Sequence, residues 1–120
     1  MTAPSYLSMD KAVGYLGQLE SAHQLLATLQ STLKADALQI EQAIQTQNFA
    51  VLQTKWHQLK GFAPVFCQDA LLVDIAHTEK LCQQTSTAEL ASQALQASAQ
   101  LLSKLQALQA EVALQLKAAN

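Results

Sequence analysis

The chain has 120 residues, half of them apolar, which suits one domain around one buried core and leaves little room for a second. Its formal charge is −2, its seven basic residues are all lysines scattered along the chain, and it has no arginine, so a phosphate-tracking surface for nucleic acid is hard to build. No run reaches the roughly 18 apolar residues a membrane span needs, and Met1 to Ser5 carries no basic region followed by an apolar stretch, so a soluble cytoplasmic protein is expected.

Three glycines and two prolines are few, and Ala, Leu and Gln dominate, so the expected class is all-α. After a short polar lead, Ser8, Met9 and Asp10 offer caps for a first short helix to about Leu16, a lid or terminal brace whose length Gly14 and Gly17 limit. From about Gln18 to Gln45, Leu19, Ala22, Leu25 or Leu26, Leu29, Leu33, Ala37, Ile40 and Ile44 recur at steps of three and four, which predicts a long amphipathic helix. Thr46-Gln47-Asn48 breaks that pattern, and Asn48 is placed to cap the next helix.

The third helix is expected to reach Val65 or Phe66, with a kink or early end just after Gly61. Pro64 has no N–H to offer the carbonyl of Lys60, and its ring crowds that carbonyl, a penalty near 3 kcal/mol in a straight helix. A fourth helix, about Gln68 to Gln84, carries Leu71, Leu72, Ile75, Thr78 and Cys82 inward. Ser86-Thr87-Ala88-Glu89 fits a capping box that opens a last helix from about Thr87 to Lys117. In it Leu90, Ala94, Ala97, Leu101, Leu105, Leu108, Val112 and Leu116 face inward, and Gln and Ser fill the other side. Helices of this length on short connections pack most simply as an antiparallel up-and-down four-helix bundle, here with a short additional N-terminal helix. Cys67 and Cys82, on segments that read as helical, belong to no metal-ligand pattern and are expected to be reduced, semi-buried thiols.

Within the third helix, Phe49, Leu52, Trp56, Leu59, Phe62, Ala63 and Phe66 fall in one arc centred near Leu59 when each residue turns by about 100°. His57 then points about 160° from the centre of that arc, into solvent, with Lys60 and Gly61 beside it one turn on. A helix-interior glycine costs about 1 kcal/mol against alanine, so a glycine beside an exposed histidine suggests room left for a second protein. A neutral imidazole nitrogen is a competent nucleophile towards an activated phosphoryl group, and a lysine one turn away offsets the charge of that group. His23 and His77 have no such supporting set and read as polar residues on solvated helix faces. His77, Glu79 and Cys82 do not have the spacing of a recognised metal-ligand set, and no metal is expected.

His57-Gln58-Leu59-Lys60-Gly61 resembles the H-x-L-K-G core of the histidine-phosphotransfer (HPt) family, four-helix-bundle carriers of multistep His–Asp phosphorelays. The likeness extends over roughly residues 8 to 84, through the preceding amphipathic helix, the Asn48 to Leu52 run and the helix from Leu71 to Cys82, and the last helix matches by position. It implies that His57 accepts the phosphoryl group, that Lys60 supports it, and that Gly61 lets a receiver domain approach. It also implies a contact to the histidine from the next helix, for which Glu79 and Gln83 are both candidates. A face around Gln53, Thr54, His57, Gln58, Lys60, Gly61 and Pro64, with aliphatic atoms of neighbouring helices at its margin, would receive the receiver.

The chain departs from the family in having Cys67 where a glycine often stands, in Pro64, and in Phe62, which is bulkier than the usual residue. The implied protein is one HPt-like domain over residues 1–120, a free-standing, monomeric, cytoplasmic phosphoprotein. It would take phosphate from a receiver aspartate of a hybrid kinase and pass it to a response regulator in two-component signalling. It would not be an enzyme: no glycine-rich nucleotide loop is present, no cofactor is implied, and the magnesium ion belongs to the partner receiver. Two other readings are a helical domain that docks a receiver without accepting phosphate, and a metal-binding or hydrolytic bundle. The latter lacks the paired carboxylates or Glu-x-x-His motifs such sites use.

Overall fold

The computed structural model describes residues 6–119, so the polar lead over residues 1–5 lies outside the described residues. The described chain is helical, in five α-helices: α1 (Met9–Leu16), α2 (Leu19–Gln45), α3 (Phe49–Phe62), α4 (Asp69–Cys82) and α5 (Ala88–Ala119). Helix α2 packs against α5 and α3, α4 packs against α3 and α5, and α1 lies on α2 and on the turn after α3. Among the described residues no helix is long and apolar enough to cross a membrane.

The sequence explains most helix ends. The Ser8 side chain accepts from Lys11 N–H, and Gly17, at φ 83°, supplies the left-handed residue that closes α1, while Gly14 stays inside the helix. The Asn48 side chain caps α3 through Val51 N–H at 3.2 Å. The α-helix ends at Phe62, one residue after Gly61, and Ala63–Val65 tightens into a 3₁₀ turn that holds Pro64 in its first residues, where a missing N–H is harmless.

At the start of α5 the cap is Thr87, whose hydroxyl accepts Leu90 N–H at 3.1 Å, and not Ser86. That one-residue shift moves Glu89 off the third helical position and dissolves the expected capping box, leaving a single side-chain cap. Thr87→Ala is therefore expected to lower stability by about 1 kcal/mol while Ser86→Ala leaves it within a few tenths, measured by urea denaturation.

The core follows the expected stripes, with departures. Ala22, Leu26, Leu29, Leu33, Ala37 and Ile40 of α2 are buried, but Leu19 is 54% exposed because it opens the helix, where little packs over it. Leu52, Trp56, Leu59, Ala63 and Phe66 are buried and Phe49 and Phe62 half-buried, with the Phe62 and Phe66 rings stacked at 5.8 Å. In α4, Leu71, Ile75, Thr78 and Cys82 are buried, Leu72 only half, and Glu79 joins them. In α5, Ala94, Leu101, Leu105, Leu108 and Val112 are buried, Leu90, Ala97 and Leu116 half-buried, and Ser98 is an inward exception to the outward serines.

Both cysteines are free and buried, deeper than the semi-buried position expected. Cys67 is not helical. It pairs with Leu7 in an antiparallel bridge as residues 6–8 cross the exit of the 3₁₀ turn. Ser8 N–H donates to Phe66 O, Gln68 N–H to Tyr6 O, and the Glu111 carboxylate takes the N–H groups of Tyr6 and Leu7 at 3.0 Å each. The segment braces the α3–α4 elbow, and its burial pushes the Cys67 thiol up to about 12.

Candidate functional site

Helix α3 sends Trp56 into the core and so its neighbour His57 outward, where the side chain is 74% exposed. Lys60, one turn on, is half-exposed, and Gly61 beside it faces open space: a Cβ placed there would meet nothing within 4 Å. Nothing in the fold therefore requires glycine at position 61. Thr54, Gln58 and Pro64 are exposed along the same helix and turn, Gln53 is half-buried, and the Thr54 hydroxyl turns back onto Ala50 O at 2.9 Å.

Glu79 of α4 completes the group. It follows Ile75 by four residues and precedes Cys82 by three, so it sits in the buried stripe with its carboxylate between α3 and α4. One oxygen lies 2.6 Å from His57 Nδ1 and the other accepts from Lys60 Nζ at 3.0 Å. Gln83 caps the end of α4 on the surface and makes no such contact, so of the two candidates Glu79 touches the histidine. The Lys60 hydrogen bond holds the Glu79 carboxyl below its ordinary value of 4.5, helped by His57 and opposed by burial.

The proton positions follow from that ionised carboxylate. It can only accept, so the short contact requires hydrogen on Nδ1, and in the neutral imidazole that leaves the Nε2 lone pair free. The arrangement thus presents one nucleophilic nitrogen to solvent with a cation at its side.

Acid pH offers a direct check. Because the folded Glu79 value lies below the unfolded one, its stabilising contribution is complete above about 4.5 and is lost as pH falls through the folded value. Urea midpoints taken between pH 6 and pH 3 are expected to fall less for Glu79→Gln than for the wild type, since glutamine has no proton to gain.

The other histidines lie elsewhere. His77 is exposed on α4, as its position suggests, whereas His23 of α2 is half-buried, its Nε2 covered and without a hydrogen-bond partner, because α2 turns that residue toward the core edge beside Ala22 and Leu26. A groove of about 900 Å³ between the start of α2 and the end of α5 is lined by Leu19, His23 and Leu116 and by none of the residues around His57.

A smaller groove of about 320 Å³ lies between α1, α2 and the end of α3. Tyr15 and Leu16 of α1, Leu25 and Leu29 of α2, and Phe62 and Val65 at the end of α3 line it almost wholly with carbon. Phe62 and Val65 each follow an exposed residue of the His57 helix and turn, Gly61 and Pro64, but themselves face α1 and α2, and Tyr15 at the groove's rim is 73% exposed. Periodicity could not place it, since it forms where the ends of α1 and α3 meet the side of α2. No protein-family model matches the chain, and no curated protein or solved structure matches it either, so the residues themselves carry the functional reading.

Proposed function

We propose that the protein is a histidine-phosphotransfer carrier, which accepts a phosphoryl group on His57 from a receiver-domain aspartate and passes it to a response regulator. The observation that carries this is the His57 imidazole, outward and without a partner on Nε2 among the described residues, held at Nδ1 by buried Glu79 with Lys60 alongside. In the transfer, the Nε2 lone pair attacks phosphorus, an N–P bond forms, the P–O bond to the aspartate breaks, and the electron pair leaves with the carboxylate. The Nδ1 proton stays where it is. Positive charge that develops on the ring is met by the Glu79 carboxylate, and Lys60 has two further N–H donors for the phosphoryl oxygens.

The five helices in their observed order of contact suit an antiparallel up-and-down bundle of α2 to α5 with α1 as the additional helix, in one HPt-like domain. Such a carrier needs no ATP site or cofactor of its own and would work as a cytoplasmic monomer. The open position at Gly61, among the exposed Thr54, His57, Gln58 and Pro64, suits a protein partner better than a small substrate, because it leaves an open, exposed face.

The test is incubation of the chain with a panel of phosphorylated receiver domains, scored by acid-labile, alkali-stable label. Label passing from at least one receiver supports the carrier. No label from any receiver that binds the His57 face would replace this reading with a docking domain that accepts no phosphate.

A further inference from the structure

Directly beneath the site lies a buried cluster of three polar side chains. The indole Nε1 of Trp56 donates to the Ser98 hydroxyl at 3.1 Å, and Cys82 Sγ lies 3.5 Å from the same oxygen. Trp56, Cys82 and Ser98 are 0%, 3% and 0% exposed, and they come from α3, α4 and α5 respectively. Trp56 precedes His57, and Cys82 follows Glu79 by one turn, so each arm of the cluster sits on the backbone next to one half of the His57–Glu79 pair.

The Ser98 hydroxyl is used differently from its counterparts. Thr28, Thr32, Thr46, Thr54 and Thr78 each turn their hydroxyls back onto the carbonyl four residues earlier, whereas the bonds of Ser98 run to other helices. Apart from the contacts of Glu79, the side-chain hydrogen bonds that tie α3 to α4 among the described residues run through this cluster, with Ser98 bonded to both arms. Burying three polar groups contributes less than an apolar filling would, but a satisfied network admits one axial register and penalises neighbouring ones. The 2.6 Å contact between His57 and Glu79 depends on that register, since a slide of about 1.5 Å, one helical residue, would break it.

We infer that Ser98 is a positioning residue for the phospho-accepting histidine: its hydroxyl sets the height of α4 against α3 and so holds Glu79 on His57 Nδ1, which fixes the tautomer that exposes Nε2. The inference rests on the proposed function for its meaning, but its first readout does not involve phosphate. Ser98→Ala leaves the indole N–H without its oxygen and frees the register.

The ¹⁵N shifts of the His57 ring in the unphosphorylated wild type should show Nδ1 protonated and Nε2 bare. In Ser98→Ala they should move toward the averaged pattern of a free histidine, with label transfer slowed several-fold at a temperature where circular dichroism shows the fold intact. In the Glu79→Gln background, Ser98→Ala should slow transfer no further, because the two changes act through one contact. A lowered melting temperature with unchanged His57 shifts, or additive effects in the double variant, would overturn the inference and leave Ser98 a packing residue. If Ser98→Ala does not fold, Trp56→Phe removes the donor from the same oxygen and must shift the His57 ring in the same direction. Loss of transfer in every variant with the wild-type shifts retained would count against the positioning role. Absence of transfer in the wild type, with the shifts responding as described, would instead count against the carrier function alone.

Discussion

Replacing His57 with glutamine is expected to abolish acid-labile labelling altogether while leaving the helical spectrum and the urea midpoint within a few tenths of a kcal/mol of the wild type. The side chain is 74% exposed and fills no core space, so its removal opens no cavity. Glutamine keeps a polar group within reach of Glu79 but has no nitrogen lone pair able to attack phosphorus, since its amide nitrogen is delocalised into the carbonyl. The loss should be complete rather than graded, which separates the acceptor from its supports.

Glu79→Gln makes the contrast. It retains the nucleophile and weakens the hydrogen bond to a charged group, worth about 1.5–3 kcal/mol, which corresponds to a rate lower by roughly 10- to 100-fold. Label on His57→Gln, assayed with a receiver that labels the wild type, would move the acceptor elsewhere in the chain and reduce the histidine, lysine and glycine grouping to surface.

How far the sequence reaches into this site can be read from particular residues. The direction in which His57 points was legible because Leu52, Trp56 and Leu59 define one arc and a histidine opposite that arc has nowhere to go but outward. The contact to Glu79 was narrowed to two residues and no further. The inward stripe expected for that helix runs through Ile75, Thr78 and Cys82, and Glu79, four residues after Ile75 and three before Cys82, joins it only once α3 supplies Lys60 as the cation a buried carboxylate requires.

What spacing cannot give is the height of one helix against another, and that height brings His57 to Glu79. Ser98 was illegible for a related reason: it lies four residues after Ala94 and three before Leu101, inside the stripe, yet a serine among alanines and glutamines reads as surface until Trp56 and Cys82 are seen around it. The bridge between Leu7 and Cys67 joins residues 60 positions apart in the chain, beyond the reach of any local pattern. Thr87 took the cap from Ser86 by a single-residue offset between two chemically equivalent side chains, which composition does not resolve.

Gly61→Gln is expected to separate folding from transfer without touching the acceptor or its supports. The bundle leaves the Cβ position empty to 4 Å on an exposed stretch of helix, so a side chain can start there without a clash, and the better helix former should hold or raise stability by up to about 0.5 kcal/mol. Gly14 of α1 is equally open, so openness alone does not single out Gly61; its place beside His57 and Lys60 does. Transfer requires the aspartyl phosphate to come within about 3–3.5 Å of Nε2, and a glutamine side chain projecting beside the imidazole occupies the space through which the receiver surface must come. A misplacement of about 1 Å at a reacting centre is enough to cost 100-fold, so single-turnover transfer from a phosphorylated receiver should fall by at least that factor, with a matching loss of receiver binding. Gly61→Ala adds only the Cβ and should fall between the two. If Gly61→Gln transfers at the wild-type rate, the receiver does not approach across this part of α3, and the docking face must be sought on the α4 side of His57.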